Sequence, residues 1–321
     1  MTGNTNLRSA KRAKNDEFYT RLEDVEDEVQ HYPNAFREKV VYLNSDDERS
    51  AFWEYFSQHF TVLGLNELVA TKYPEGLLFR LKTAGGAVEV VELEGDGDFR
   101  SPECVSVLEQ ADVVVTNPPF SLFREYVAQL MEYGKKFLVI GNMNAITYKE
   151  IWPLIQAGDL WLGTKSNMAL ELAVPEDYFA PEGAPTDHRG RRLVKVPGIN
   201  WFTNLDHAKR HSDLPLAKNY TPEEYPRYDN YDAIEVSKVK DIPTDYDGVM
   251  GVPITFLGKW NPDQFEILSG WNAGVNVPNP GAAMTEYEDR QGETRLWNGP
   301  TVDRKTKYYR ILIRRRQFDR V

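Results

Sequence analysis

The sequence predicts an α/β protein built on an open, doubly wound, Rossmann-like sheet and followed by a separate C-terminal region. Three observations carry that expectation. Asp112-Val113-Val114-Val115-Thr116 is a β-branched run that ends in the turn Asn117-Pro118-Pro119-Phe120. After the turn, Phe123, Val127, Leu130 and Met131 stand at helical spacing, so the segment reads as strand, turn and crossover helix. Val40-Val41-Tyr42-Leu43, followed by the stripe Phe52, Trp53, Phe56 and Phe60, repeats the unit, and Lys136-Phe137-Leu138-Val139-Ile140 is a third buried run.

In chain order, residues 1–13 are polar, and a helix is expected over Leu22–Gln30 with Thr20 as a candidate N-cap. The loop Asn44 to Ser50 carries no glycine. Residues 63–91 read as short extended pieces between turns at Pro74-Glu75-Gly76 and Gly85-Gly86. Pro153 must start or kink any helix over Tyr148–Gln156, and Asp159–Gly163 reads as a strand. Val174–Pro197, rich in Pro, Gly and charge, reads as a surface loop or loose hairpin, and Ile199–Thr203 as a late strand of the same sheet. Leu214–Asp232 is a linker-like stretch, after which Ala233–Val239, Pro253–Leu257, Phe265–Ser269 and Tyr308–Ile313 read as strands. Residues 1–212 are therefore expected to form the catalytic domain and 213–321 a second region.

The 321 residues carry a net charge of -11, which argues against nonspecific coating of nucleic acid. The charge is uneven, because Arg304, Lys305, Lys307, Arg310, Arg314, Arg315, Arg316 and Arg320 crowd the C-terminus. A single cysteine, Cys104, excludes an intrachain disulfide and a cysteine-rich zinc site. His207 and His211 are four apart but lack a third ligand nearby, so no metal is expected. No apolar run is long enough for a membrane span, and the N-terminus lacks a signal-peptide core, so a cytoplasmic protein is expected.

The Asn-Pro-Pro-Phe turn reads as an active site. Two prolines fix the backbone, so the Asn117 side-chain oxygen and the Pro118 carbonyl can converge as paired acceptors on one NH2 group. Such acceptors stabilise the charge that develops when an aromatic amine attacks an electrophile, and Phe120 can stack on the ring.

These residues resemble the signature of S-adenosylmethionine-dependent amino-group methyltransferases. Lys14–Thr20, Glu94–Ser101, Thr116–Arg124, Gly141–Ile146, Trp201–Leu205 and Gly251–Phe256 together resemble the EcoRI-type adenine-specific DNA methyltransferases over nearly the whole chain. The resemblance implies S-adenosyl-L-methionine as cofactor, with contacts from Phe18, Tyr19, Thr20, Asn44, Asp46, Asp98 and Phe99. Catalysis falls to Asn117, Pro118, Pro119 and Phe120, and one of Trp201 and Phe202 is expected to face an extruded adenine. The C-terminal region would recognise double-stranded DNA, with Arg314, Arg316 and Lys305 as candidate phosphate contacts. A monomer and a cognate restriction endonuclease are both compatible with this resemblance. The alternatives are a protein-glutamine or RNA methyltransferase, and an inactive binding protein that kept the fold.

Overall fold

The structure is a computed structural model that describes residues 19–44, 46–47, 49–166, 168–174, 181, 183–187, 189–272 and 279–316. Phe18 and the N-terminal polar stretch lie outside the described residues.

The chain forms two compact units. One runs to Ala145 and resumes over Leu162–His207; the other comprises Ile146–Trp161 and the chain from Ala208. The sequence put one boundary at 212/213 and assigned 146–161 to the first domain. That segment joins the second unit through partners remote in sequence: the Gln156 amide donates to the Leu268 carbonyl at 2.6 Å, and Trp152 packs edge-on against Tyr309 at 6.1 Å.

The strands of the large sheet are β1 (Val40–Asn44), β2 (Glu67–Lys72), β3 (Leu77–Leu81), β4 (Glu89–Glu92), β5 (Val113–Thr116), β6 (Lys136–Asn142), β7 (Trp161–Leu162), β8 (Met168–Ala173) and β9 (Leu193–Thr203). Their order is β4-β3-β2-β1-β5-β6-β9-β7, with β8 paired to β9. The central block β2-β1-β5-β6 is parallel, whereas β3, β4 and β9 join antiparallel. From β1 the chain winds to β2 on one side and then to β5 on the other. The gap between β1 and β5 is thus the point where the strand order reverses.

The helices of this unit are α1 (Leu22–Val29), α2 (Ala51–Gln58), α3 (Phe60–Leu63), α4 (Pro102–Gln110) and α5 (Phe123–Glu132). Because side chains alternate across a strand, Val41, Leu43, Val113, Val115, Leu138 and Ile140 share one core with Val25 and Val29 of α1 and Phe52 and Phe56 of α2. On the opposite face Phe123 of α5 packs on Phe202 at 5.0 Å, and Cys104 of α4 interacts with Tyr42. Helices therefore cover both faces. All of β5 is buried, and each such apolar side chain contributes about 1.5–3 kcal/mol.

Residues 63–91 are more regular than the sequence suggested: they form the β2-β3-β4 meander. Both faces of β2 are covered and β4 is fully exposed, so neither shows the alternation that betrays a strand. The loose hairpin expected over Val174–Pro197 is anchored by an eleven-residue β9 that pairs β8 along its length.

In the second unit α6 (Trp152–Ala157) begins with Pro153 in its first turn, the place where proline costs nothing. Its strands are β10 (Ile234–Glu235), β11 (Met250–Pro253), β12 (Phe265–Trp271), β13 (Thr285–Glu288), β14 (Thr294–Trp297), β15 (Thr301–Val302), β16 (Lys305–Thr306) and β17 (Arg310–Arg315). The main sheet has the order β10-β11-β17-β12. One expectation fails here. Pro253–Leu257 is the end of β11 followed by a 3-10 turn over Ile254–Lys259, since proline cannot extend the ladder. The basic strand β17, expected as a strand, is central in its sheet, and Ile311, Leu312 and Ile313 are all buried, so apolar packing occupies both of its faces.

Candidate active site

The carboxyl ends of β1, β2 and β5 open into a cleft of about 710 Å³ within the first unit. Asp46, Asp47 and Ser50 line it after β1, Lys72, Tyr73 and Glu75 at the end of β2, and Asn117 and Pro119 after β5. Tyr19, Thr20, Arg191 and Arg192 complete the wall. In an open α/β sheet this crevice, at the reversal of strand order, is where ligands bind.

Hydrogen bonds tie the cleft loops to one another. Thr116 Oγ1 lies 2.6 Å from the Asn44 carbonyl, to which it donates, and 3.1 Å from Asp46 Oδ2. Next in sequence, Asn117 Nδ2 donates to Thr20 Oγ1 at 3.3 Å. Thr20 was a candidate helix cap. The N-cap of α1 is instead Arg21, with no side-chain cap, and the buried Thr20 hydroxyl serves the Asn117 amide. Tyr19 is held against β8 by paired backbone bonds with Ala173 at 2.8 and 2.9 Å, and the Arg191 guanidinium sits 4.9 Å from its ring centre. Lys72 bridges Asp47 at 3.3 Å and Glu75 at 3.5 Å, and Ser50 caps α2 by accepting from Trp53 N at 3.0 Å.

Burial pushes the Asp46 carboxyl up to about 7, and neighbouring Asp47 adds to the rise against the hydrogen bonds from Thr116 and Ser50. Asp98 behaves oppositely. Arg100 holds its carboxyl below the ordinary carboxylate range through bonds of 2.6 and 2.8 Å from the guanidinium and 2.9 Å from the backbone. Asp98 is not among the cleft-lining residues, but its loop abuts the cleft wall. Gly97, at φ +86, brings its Cα so close that a side chain would meet the Lys72 carbonyl at 2.5 Å, and a side chain at Gly76 would likewise clash with the Gly95 carbonyl. The glycines of Gly95-Asp96-Gly97 thus permit contact between two backbones.

Several expected site residues point elsewhere. The Asn44 side chain is buried and donates to Tyr42 Oη at 2.5 Å, so this residue meets the site through its carbonyl. Pro118 is buried, and Phe120 is half-buried against the core. Phe99 is buried edge-on to Tyr126 at 5.1 Å. Trp201 and Phe202 were expected to offer a face to an extruded base, and neither lines the cleft. Both are buried: Trp201 packs edge-on against cleft-lining Phe52 at 6.1 Å, and Phe202 faces the opposite core against Phe123. β9 is an interior strand covered on both faces, which turns both rings inward.

Sequence reasoning missed Lys72, Tyr73 and Glu75, because β2 carries no visible periodicity, although Pro74-Glu75-Gly76 did mark a turn. Arg191 and Arg192 fall in the stretch expected to be a surface loop or loose hairpin; the β8–β9 pairing brings them to the cleft.

The family described as adenine-specific methyltransferase EcoRI matches residues 6–84 and 79–316. The chain belongs to that family. It is 43% identical to the Type II methyltransferase M.EcoRI of Escherichia coli over 98% of this chain and 97% of the relative. It is 40% identical to the Type II methyltransferase M.MpnI of Mycoplasma pneumoniae over 96% of this chain and 97% of the relative. Against M.MgeORF184P of Mycoplasma genitalium the identity is 36%, over 96% and 98%. No solved structure matches significantly. The EcoRI methyltransferase family therefore covers both units, and the chain is a methyltransferase.

Proposed function

We propose that this EcoRI-family methyltransferase transfers a methyl group from S-adenosyl-L-methionine to N6 of a specific adenine in double-stranded DNA. One observation carries the reading: the Asn-Pro-Pro turn ends β5 beside the reversal of strand order, with Asn117 in the cleft and its amide nitrogen anchored on Thr20. That bond supports a reading in which Nδ2 serves the protein and Oδ1 acts as the acceptor. The first unit then serves as a Rossmann-like catalytic domain and the second as the target-recognition region.

The residues of the cleft fit the cofactor. Its volume of about 710 Å³ suits a ligand of that size, and Asp46, Asp47, Lys72 and Arg191 offer both signs of charge to a zwitterionic amino-acid end. Glu75, at the end of β2, is placed for ribose hydroxyls. The Asp98 carboxylate keeps acceptor capacity beyond Arg100 for the cofactor's adenine amino group, with Phe99 beside it. When bound, S-adenosylmethionine supplies an electrophilic methyl group on a sulfonium.

The adenine must leave the helical stack, since the duplex hides the line of attack. Asn117 Oδ1 and the Pro118 carbonyl accept its two N–H bonds and stabilise positive charge on nitrogen, and Phe120, although packed on one side against the core, is only half-buried and offers the ring that stacks on the base. The methylated amine then loses its proton to solvent. Arg314, Arg316 and Lys305 are assigned to phosphates.

The test is expression in a methylation-free host followed by mapping of modified bases. N6-methyladenine at one recurring sequence, absent with Asn117→Ala, is the expected result. Unmodified DNA together with methylated protein or RNA would overturn it.

A further inference from the structure

Asp46 sits where the count of protons is constrained. Thr116 Oγ1 lies 2.6 Å from the Asn44 carbonyl and 3.1 Å from Asp46 Oδ2. A hydroxyl has one proton to give, and a carbonyl has none. The shorter bond holds most of the Thr116 proton, so an ionised Asp46 receives at best a shared hydrogen bond, whereas a protonated carboxyl can donate its own proton to the hydroxyl oxygen.

The surroundings agree. Asp47 on the same loop is a like charge that opposes ionisation of Asp46, and Lys72 at the end of β2 pairs with Asp47 and Glu75. From the helices, the Ser50 hydroxyl of the α2 cap favours the carboxylate but carries no charge, and Tyr126 of α5 is a phenol held neutral by burial. Among the described residues no cation is one of the groups that shift Asp46, and burial outweighs the hydroxyls and raises its carboxyl to about 7.

We propose that Asp46 is a neutral acid before the methyl donor binds and ionises as the ammonium group of the donor's amino-acid end enters, so that binding releases one proton. The O–H bond of the carboxyl breaks, the proton passes to bulk buffer, and the carboxylate remains to face the cation. Because Thr116 directly precedes Asn117, the same contact ties donor binding to the catalytic turn. This rests on the proposed cofactor reading.

The sign follows from linkage. Below about pH 7 the donor must displace a proton, so affinity falls about tenfold per pH unit; above it, affinity levels off until the donor's own ammonium begins to titrate. A ligand ammonium would cause proton uptake above its own pKa, the opposite sign.

The experiment is calorimetric titration of the full chain with S-adenosylmethionine in two buffers of different ionisation enthalpy. Release of about 0.9 proton is expected at pH 6, and by pH 8 the release from Asp46 shrinks to about 0.1 and is offset by uptake as the donor's partly neutral amine binds as its ammonium. S-adenosylhomocysteine, which keeps the ammonium but not the sulfonium, should release the same number. Asp46→Asn, which mimics the neutral acid in shape, should bind with neither proton release nor pH slope. Zero release by the unsubstituted protein at pH 6, or undiminished release by Asp46→Asn, would overturn the proposal while leaving the cofactor reading intact. Absence of binding at every pH would instead remove the cofactor reading.

Discussion

The two units use positive charge differently. In the first, Lys72, Arg191 and Arg192 reach a concave cleft that they share with Asp46, Asp47 and Glu75. In the second, the basic C-terminal segment is largely engaged internally. Arg310 makes two bonds to buried Glu235 at 2.6 and 2.9 Å, Arg314 pairs with Glu266 at 2.8 Å, and Arg316 Nε donates to the Pro262 carbonyl at 2.7 Å. Arg304 lies 3.4 Å from Glu286 across the neighbouring hairpin. Charge density along a chain is therefore a poor guide to a binding face. What matters is whether acidic partners from distant segments fold onto it.

The largest effect expected from this contrast is on stability. Removing Glu235 leaves Arg310, whose side chain is only 11% exposed, as an uncompensated charge, so Glu235→Ala should cost about 3–5 kcal/mol in urea unfolding. A loss under about 1 kcal/mol would mean that water reaches the pair.

Next comes the cleft. Asn117→Ala should lower the methylation rate by about 10²-fold or more, with cofactor affinity little changed, because the residue addresses the target amine. Near wild-type turnover in a single-turnover assay would sink the acceptor role.

Asp98→Ala should weaken S-adenosylmethionine binding by about 1–3 kcal/mol, the cost of leaving a polar partner unmet. Calorimetry decides between that role and one confined to the Arg100 pair; unchanged affinity favours the latter.

The smallest effect belongs to the exposed C-terminal charges. If Arg314 and Arg316 reach phosphates despite their internal partners, replacing either by Gln should weaken all DNA sequences alike and lower the salt slope by about 0.9. A constant slope would return both to their bonds with Glu266 and Pro262, and Arg192→Gln would be the next substitution to try.

Much was legible because it is local. The β-branched run before Asn117, the stripe from Phe52 to Phe60 and the proline at the start of α6 each report a neighbour-to-neighbour preference, and the structure contains each of those elements. The sequence by itself determined the parallel strand-turn-helix units and the turn that carries Asn117, since periodicity and proline geometry act within a few residues.

Only the tertiary structure decided which side chains meet. Thr20 turned from helix cap to partner of Asn117 because β5 ends beside the N-terminal segment, 97 residues away in sequence. Trp201 and Phe202 turned inward because β9 lies between β6 and β7 rather than at an edge. Asp46 acquired its raised carboxyl from burial and from Asp47, against a hydroxyl that β5 presents 70 residues later. These outcomes depend on strand order and on desolvation, which belong to the assembled sheet, and no window of sequence contains them.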